Sequence, residues 1–354
     1  MNMDNSGSTP WSKPKDPVRL ALDMVDQTLQ EVSAAERRQT WAGLLAASVP
    51  HWLDLALFAA LCETTSLEAE GIFFILRRLP CIKPVHARGE GAFQIDDSIR
   101  VPLRGHLRTW HPDRWQRLSR HACAHFKKRG DSSSAIEALY HRFASNLASA
   151  AWECQALGDY FRDYRLNAEQ TILGEVLTEL ITANWLSGPA LVEAWLGILW
   201  IRALRGETGQ LKREARKVLA LATEVSPPAR IADAWILMGD LRMTQERPGV
   251  ALAAYHHAES ILKSLITQDP WHLTWCRELA ITYSKTGLAH QSLGSILTSH
   301  GTLEKSRILL ENLCAKSPGH PGRQRELAAI VILLQDLHAC MELWRPWNPA
   351  GYQP

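Results

Sequence analysis

The feature that most constrains this chain is a short motif written twice. Asp269-Pro270 followed by Arg277-Glu278-Leu279-Ala280 returns as Ser317-Pro318 followed by Arg325-Glu326-Leu327-Ala328, each position displaced by 48 residues. Stepping back 48 from Gly287 lands on Gly239. A fixed period in this range marks one supersecondary unit that cannot bury its apolar face alone and must stack on its neighbours. The expectation is an array of helical hairpins, an architecture that holds other proteins more often than it carries out reactions.

Composition narrows the class further. Of 354 residues, 46% are hydrophobic and 21% charged, which supplies a core for two or more domains. A formal charge of +2 gives no global attraction to nucleic acid or to a membrane surface. The seven cysteines (Cys62, Cys81, Cys123, Cys154, Cys276, Cys314, Cys340) form no CxxC pair and are odd in number. That is the pattern of reduced thiols in a cytoplasmic protein, not of a disulfide framework. Residues 1–16 are polar, rich in Ser, Pro and Lys, and read as a disordered tail without a signal sequence. The most apolar stretch, 181–204, contains Pro189 and Glu193 and reads as two buried helices instead of a membrane span.

Helical spacing continues through most of the chain. Val18, Leu20, Leu22, Met24, Val25 and Leu29 suggest a first amphipathic helix, and Trp41, Leu44 and Leu45 a second. An apolar helix is expected over 52–62 and another over 67–79 after Thr64-Thr65-Ser66. Two strand-like runs, Ile82-Lys83-Pro84-Val85 and Ala92-Phe93-Gln94-Ile95, flank the turn residues Arg88-Gly89-Glu90-Gly91. Two helices and a β-hairpin outline a winged helix.

Leu76-Arg77-Arg78-Leu79-Pro80, the Gly-containing hairpin and Phe93-Gln94-Ile95-Asp96-Asp97-Ser98-Ile99-Arg100 resemble the winged-helix segment that follows the ATPase core in STAND-type signalling ATPases. Asp96 stands where that family usually has His. Lys128-Arg129-Gly130-Asp131, followed by Ala135-Ile136-Glu137-Ala138-Leu139-Tyr140-His141, is similar to the helical arm of the same proteins. About fifty residues precede this region, too few for a nucleotide-binding domain. The resemblance therefore implies an arm-and-sensor region without its motor, in a bacterial signalling or defence setting. Further on, Trp235, Met238 and Gly239, then Ala251, Tyr255 and Ala258, follow the tetratricopeptide pattern. The later copies resemble a 48-residue bacterial variant of that repeat. Gly287 fits it, whereas Gln335 stands where the third copy should carry Gly, so that copy is incomplete.

The expected fold is mostly α, with a winged-helix-like segment, a helical arm and a C-terminal tetratricopeptide-like α-solenoid. The expected organisation is a tail at 1–16, N-terminal helices at 17–49, the winged-helix-like domain at 50–103, the arm at 104–229, repeats at 230–342 and a tail at 343–354. Pro346 disfavours helix in the residue before it.

No phosphate loop, dinucleotide fingerprint, nucleophile elbow or zinc-protease motif is present, so no cofactor, metal or catalytic residue is assigned. Four features hold candidate binding residues. Arg104, Arg108, Arg114, Arg117, Arg120, Lys127, Lys128 and Arg129 stand against one acid, Asp113, with Trp110 and Trp115 among them. This stripe reads either as a solvated face, partly neutralised by the acidic stretch 131–200, or as a site for an acidic protein or nucleic acid. The helix expected over 67–79 would be the DNA reader of a winged helix. Its start carries Glu68 and Glu70, which phosphates repel, and Ile72-Phe73-Phe74-Ile75-Leu76 looks like core. His121 and His125 share a helical face at metal-ligand spacing, but ordinary histidines do so too. Within the repeats, polar residues of the first helix of each hairpin line the groove, which selects Asp233, Arg242, Arg277, Tyr283 and Lys285. Trp344 and Trp347 in the Pro-rich tail are candidate anchors for a partner.

The function this supports is a non-catalytic protein–protein adaptor or sensor that binds a partner protein through the helical-repeat surface. The competing class is a winged-helix transcription regulator, with the repeats as signal receiver.

Overall fold

A computed structural model of the protein describes residues 17–29, 33–89, 91–207 and 210–344; the tail at 1–16 and Trp347 lie outside them. Among the described residues the chain forms sixteen α-helices and a single two-stranded sheet. It divides into two compact units, Met1–Asn146 and Leu147–Pro354. The division falls inside the segment 104–229 that the sequence groups as one arm.

In the first unit, helix ends follow local capping chemistry. Helix α1 (Pro17–Thr28) buries Ala21 and Val25 on one face. Helix α2 (Ala34–Ala47) opens with a capping box between Ser33 and Glu36, and α4 (Ser66–Leu76) with one between Thr65 and Glu68. Asp54 caps α3 (Leu55–Cys62), accepting from the Leu57 amide. This corrects the helix expected from Trp52: Leu53 instead pairs with Phe93 as an isolated antiparallel bridge. The hairpin joins β1 (Ile82–Pro84) to β2 (Phe93–Ile95), with Ile82 opposite Ile95.

Asp96 then caps α5 (Asp97–Trp110), which leads to α6 (Pro112–Lys127) and α7 (Ser132–Ser145). An aromatic row ties helices to hairpin, with ring centroids 5.7 Å apart for Phe58 and Phe73 and 5.0 Å for Phe73 and Phe93. Phe74 departs from the expected core run: it is 61% exposed, because α4 turns only its Ala69, Phe73 and Leu76 face inward.

The second unit is a stack of helical hairpins. Helices α8 (Leu147–Asp163) and α9 (Asn167–Thr182) precede α10 (Gly188–Leu204) and α11 (Leu211–Val225). Then come α12 (Pro228–Met243), α13 (Pro248–Gln268), α14 (Leu273–Ser292), α15 (Ile296–Lys316) and α16 (Pro321–Trp344). Each helix packs on the next, and α10, α12 and α14 also touch in series as one layer. A Cβ at Gly239 would overlap the Tyr255 ring, and one at Gly287 would lie 2.7 Å from Leu303 Cγ. The shared glycine thus marks the close crossing of each hairpin. Gln335, at the third equivalent position, is exposed, and no described helix follows α16 to cross it.

Apolar clusters run along the stack. One joins Val192, Leu199, Leu211, Val218 and Leu237; a later one joins Ala280, Leu303, Leu310, Ile330 and Leu337. Among the described residues no helix is long and apolar enough to cross a membrane.

Candidate functional site

The second unit contains a cavity of about 130 Å³ between α8, α9 and the layer formed by α10, α12 and α14. Charged residues reach it in pairs set one helical turn apart. Asp159 and Arg162 share a face of α8, with Arg162 Nη2 donating to Asp159 Oδ1 at 2.7 Å. Arg230 and Asp233 do the same on α12, with Nη1 and Oδ2 2.5 Å apart. Glu193 comes from α10 and Glu278 from α14. Leu173, Leu196, Trp200, Ile236 and Leu237 give the remaining wall an apolar character, and the Arg162 guanidinium stands 5.0 Å over the Trp200 ring.

Four carboxylates thus face two guanidiniums. Burial pushes Asp233 up to about 6, with Glu193 and Asp159 adding to it against the pull of Arg230. Burial likewise pushes Glu278 up to about 7, helped by Asp233 and Asp159 and opposed by Arg162 and Arg230. Glu193 is raised by burial as well.

Beside the cavity lies a fully paired counterpart. Arg277 on α14 binds Asp163 at the end of α8 through two guanidinium nitrogens, Nη1–Oδ2 at 3.0 Å and Nη2–Oδ1 at 2.5 Å. The same guanidinium binds Glu326 on α16, with Nη2–Oε1 at 2.6 Å and Nε–Oε2 at 3.0 Å. Burial opposes the Arg277 charge, but these carboxylates outweigh it and hold its pKa above the usual arginine range. Arg325 donates to the last α8 carbonyls, Asp163 O at 2.6 Å and Arg162 O at 3.3 Å. Cationic donors at a helix C-terminus satisfy its orphan carbonyls and favour its dipole. The first and last helices of this unit therefore meet, and Gly322 has Asp163 where a side chain would be.

The five expected groove residues do not form one surface. Asp233 lines the cavity, and Arg277, 6% exposed, serves the clamp. Lys285 pairs with Asp240 at 2.6 Å, and Asp240 also accepts from the Tyr255 hydroxyl at 2.9 Å. Tyr283 is buried between hairpins, with the Lys263 and Lys305 ammonium groups each 5.8 Å from its ring centre. Arg242 sits at the end of α12, near enough to Lys212 to depress its pKa. Trp344 is the last described residue of α16.

Asp159, Arg162, Asp163, Glu193, Arg230, Glu278 and Glu326 are absent from the candidate binding residues, although Glu278 and Glu326 stand in the repeated motif. The signal for three of them is the i,i+3 spacing of acid and base, Asp159 with Arg162 on α8 and Arg230 with the already selected Asp233 on α12.

In the first unit the basic stripe is dispersed. Arg104 is 2% exposed and donates to the Tyr140 hydroxyl, so it belongs to the interior. Arg108 is half-buried. Arg114 donates to the Ala42 carbonyl at 3.1 Å, Arg117 pairs with Glu63 at 3.3 Å, and Arg129 with Asp54 at 2.7 Å. Acids at the two ends of α3 thus pair with two of these bases. Arg120, Lys127 and Lys128 are exposed on or just beyond α6. His121 lies 3.8 Å from Glu63, and burial lowers the pKa of His125. Among the described residues no three His, Cys, Asp or Glu side chains gather as metal ligands.

No family model and no curated protein matches this sequence. Two solved structures are similar in part. One is BtubC (BKLC) from P. vanneervenii, at 13% identity and a TM-score of 0.37, covering 67% of this chain and 94% of that one. The other is a Signal Transduction ATPase with Numerous Domains (STAND) protein with a tetratricopeptide repeat sensor from Pyrococcus horikoshii. It shares 11% identity with a TM-score of 0.33, covering 96% of this chain and 66% of that one. At these scores the functional reading rests on the chain's own geometry.

Proposed function

We propose that this chain is a non-catalytic adaptor of tetratricopeptide type, which binds a partner protein through its second unit. The observation that carries this reading is the gathering of charged side chains from α8, α10, α12 and α14 around an open cavity in a stack of hairpins. Side chains spent only on holding hairpins together close their charges in pairs, as Arg277, Asp163 and Glu326 do. The cavity does not follow that rule. A bacterial signalling or defence assembly is the setting that the resemblance in the first unit suggests.

Affinity purification of the tagged full chain from its native host, followed by mass spectrometry, tests the reading. A discrete set of proteins should be retained through salt washing. Recovery of none would remove the adaptor reading.

The transcription-regulator reading draws only on exposed bases such as Arg120, Lys127 and Lys128. Against it, the start of α4 presents Glu68, held in its capping box, and exposed Glu70. Salt-sensitive binding of random duplex DNA, lost when Arg120, Lys127 and Lys128 become Glu, would reverse the order of the two readings.

A further inference from the structure

We infer that the cavity in the second unit is a receptor for one alkylammonium or guanidinium group, which docks against the Glu193 and Glu278 carboxylates. The arginines already there have partners: Arg162 is bound to Asp159 and Arg230 to Asp233. Glu278 is left without an ion pair among the described residues, and Glu193 shares Arg230 with Asp233. Glu193 is 7% exposed, makes no hydrogen bond among the described residues, and lies 3.5 Å from an Arg230 nitrogen that is 2.5 Å from Asp233. Glu278 receives no hydrogen bond or ion pair at its carboxylate among the described residues, although it lines the same cavity.

Glu193 is buried and Glu278 half-buried, and a carboxylate held away from bulk water without a hydrogen bond carries a desolvation cost that an incoming cationic donor relieves. Burial first, and the neighbouring acids second, raise the proton affinities of Asp233, Glu278 and Glu193.

Size and shape select the ligand. A cavity of about 130 Å³ compares with the engineered cavity of about 150 Å³ that holds benzene. It admits a charged head with a short aliphatic stem. Leu196, Trp200 and Leu237 would cover the stem. The carboxylates do not converge as metal ligands, which favours an organic cation over a divalent ion. The cation is either a free small amine or the tip of a lysine or arginine on a partner protein. In the second form the inference rests on the adaptor reading.

Calorimetric titration of the purified full chain at pH 8 tests it. The probes are n-butylammonium, neutral n-butanol, a blocked Gly-Gly-Lys-Gly-Gly peptide and the same peptide with norleucine for lysine. Butylammonium should bind saturably at one site and butanol should not. Glu278→Gln and Glu193→Gln should each weaken binding about tenfold or more; both are isosteric, and a thermal melt verifies that each is folded. Equal behaviour of amine and alcohol, or full amine affinity in both variants, would overturn the inference.

Tighter binding of the lysine peptide than of butylammonium assigns the cavity to a partner side chain. Equal or weaker binding assigns it to a free amine. The native-host purification stands apart from this outcome. Partners retained equally by wild type and Glu278→Gln would leave the adaptor reading intact while removing the cavity from its interface.

Discussion

The two copies of Arg-Glu-Leu-Ala put identical side chains to opposite uses. In the first copy the arginine is buried between two acids, and the glutamate next to it faces a cavity without a counterion. In the second copy the glutamate completes the clamp on Arg277, while Arg325 holds the end of α8. Nothing in the tetrapeptide distinguishes them. The difference comes from α8, which meets α16 at one end of the layer and leaves room over Glu278. A repeat motif thus fixes where a side chain stands along the stack, and the packed neighbour decides whether its charge is spent.

The largest expected effect is on the clamp. Arg277→Ala leaves Asp163, which is 5% exposed, with the His320 ring at 3.6 Å in place of a guanidinium, and should cost about 3–5 kcal/mol in denaturant unfolding of the second unit. Adding Asp163→Asn should recover part of that loss, since the stranded charge is then gone. A cost below about 1 kcal/mol, the range of exposed ion pairs, would erase the contrast between clamp and cavity.

Gly322→Ala should come next. It forces the Asp163 carboxylate off its present position and should cost about 1–3 kcal/mol, read in the same unfolding assay. Gly239→Ala should cost a similar amount, by pushing on the Tyr255 ring instead of on the clamp.

The cavity predicts the opposite sign. Asp233 and Glu278 hold protons more tightly when folded than when unfolded, so their contribution is fully present below about pH 4. It is lost as pH rises through about 6 and about 7, their folded values. After burial, the groups that set these values are Asp159 and Arg162 on α8, Glu193 on α10, Arg230 on α12, and Asp233 acting on Glu278. Thermal melts across pH 5.5 to 8 should therefore show Glu278→Gln gaining about 1–2 kcal/mol over wild type at the upper end and little at the lower. A flat difference would mean that Glu278 finds a counterion in solution.

The smallest effect belongs to the first unit. Lys128→Ala lies on an exposed position and should stay within about 0.5 kcal/mol; a larger shift would mean that this face packs against something.

Much of the fold was legible because local chemistry announces it. The hairpin at 82–95, the capping residue Thr65 and the crossing glycines Gly239 and Gly287 all have short-range causes. The incomplete third copy was legible in Gln335, and the structure supplies the reason, since no described helix crosses α16 there. The earlier hairpins α8–α11 were not seen as a stack. Their close approaches use Gly174 against Ile201 and Gly197 against Leu177, and these share no period with Gly239.

Side chains that act over long separations left no trace. Asp163 lies 114 residues from Arg277, and nothing near either residue announces the other. Arg104 counted as surface because its helix is rich in bases; Tyr140, 36 residues later, makes it interior. Asp233 and Arg277 were selected for a groove, and both instead face α8, an element whose place in the stack carries no sequence signature.

The meeting of α8 with α16 also fixes how many hairpins this unit can hold. Open solenoids lengthen by duplication, because a new unit needs only the same neighbour on either side. Here one more 48-residue copy would carry Arg325 and Glu326 a full hairpin away from Asp163. A helix of 17 residues, about 25 Å long, has no reserve to follow them. Growth by duplication is closed to this array, and variation is confined to substitution within the existing hairpins.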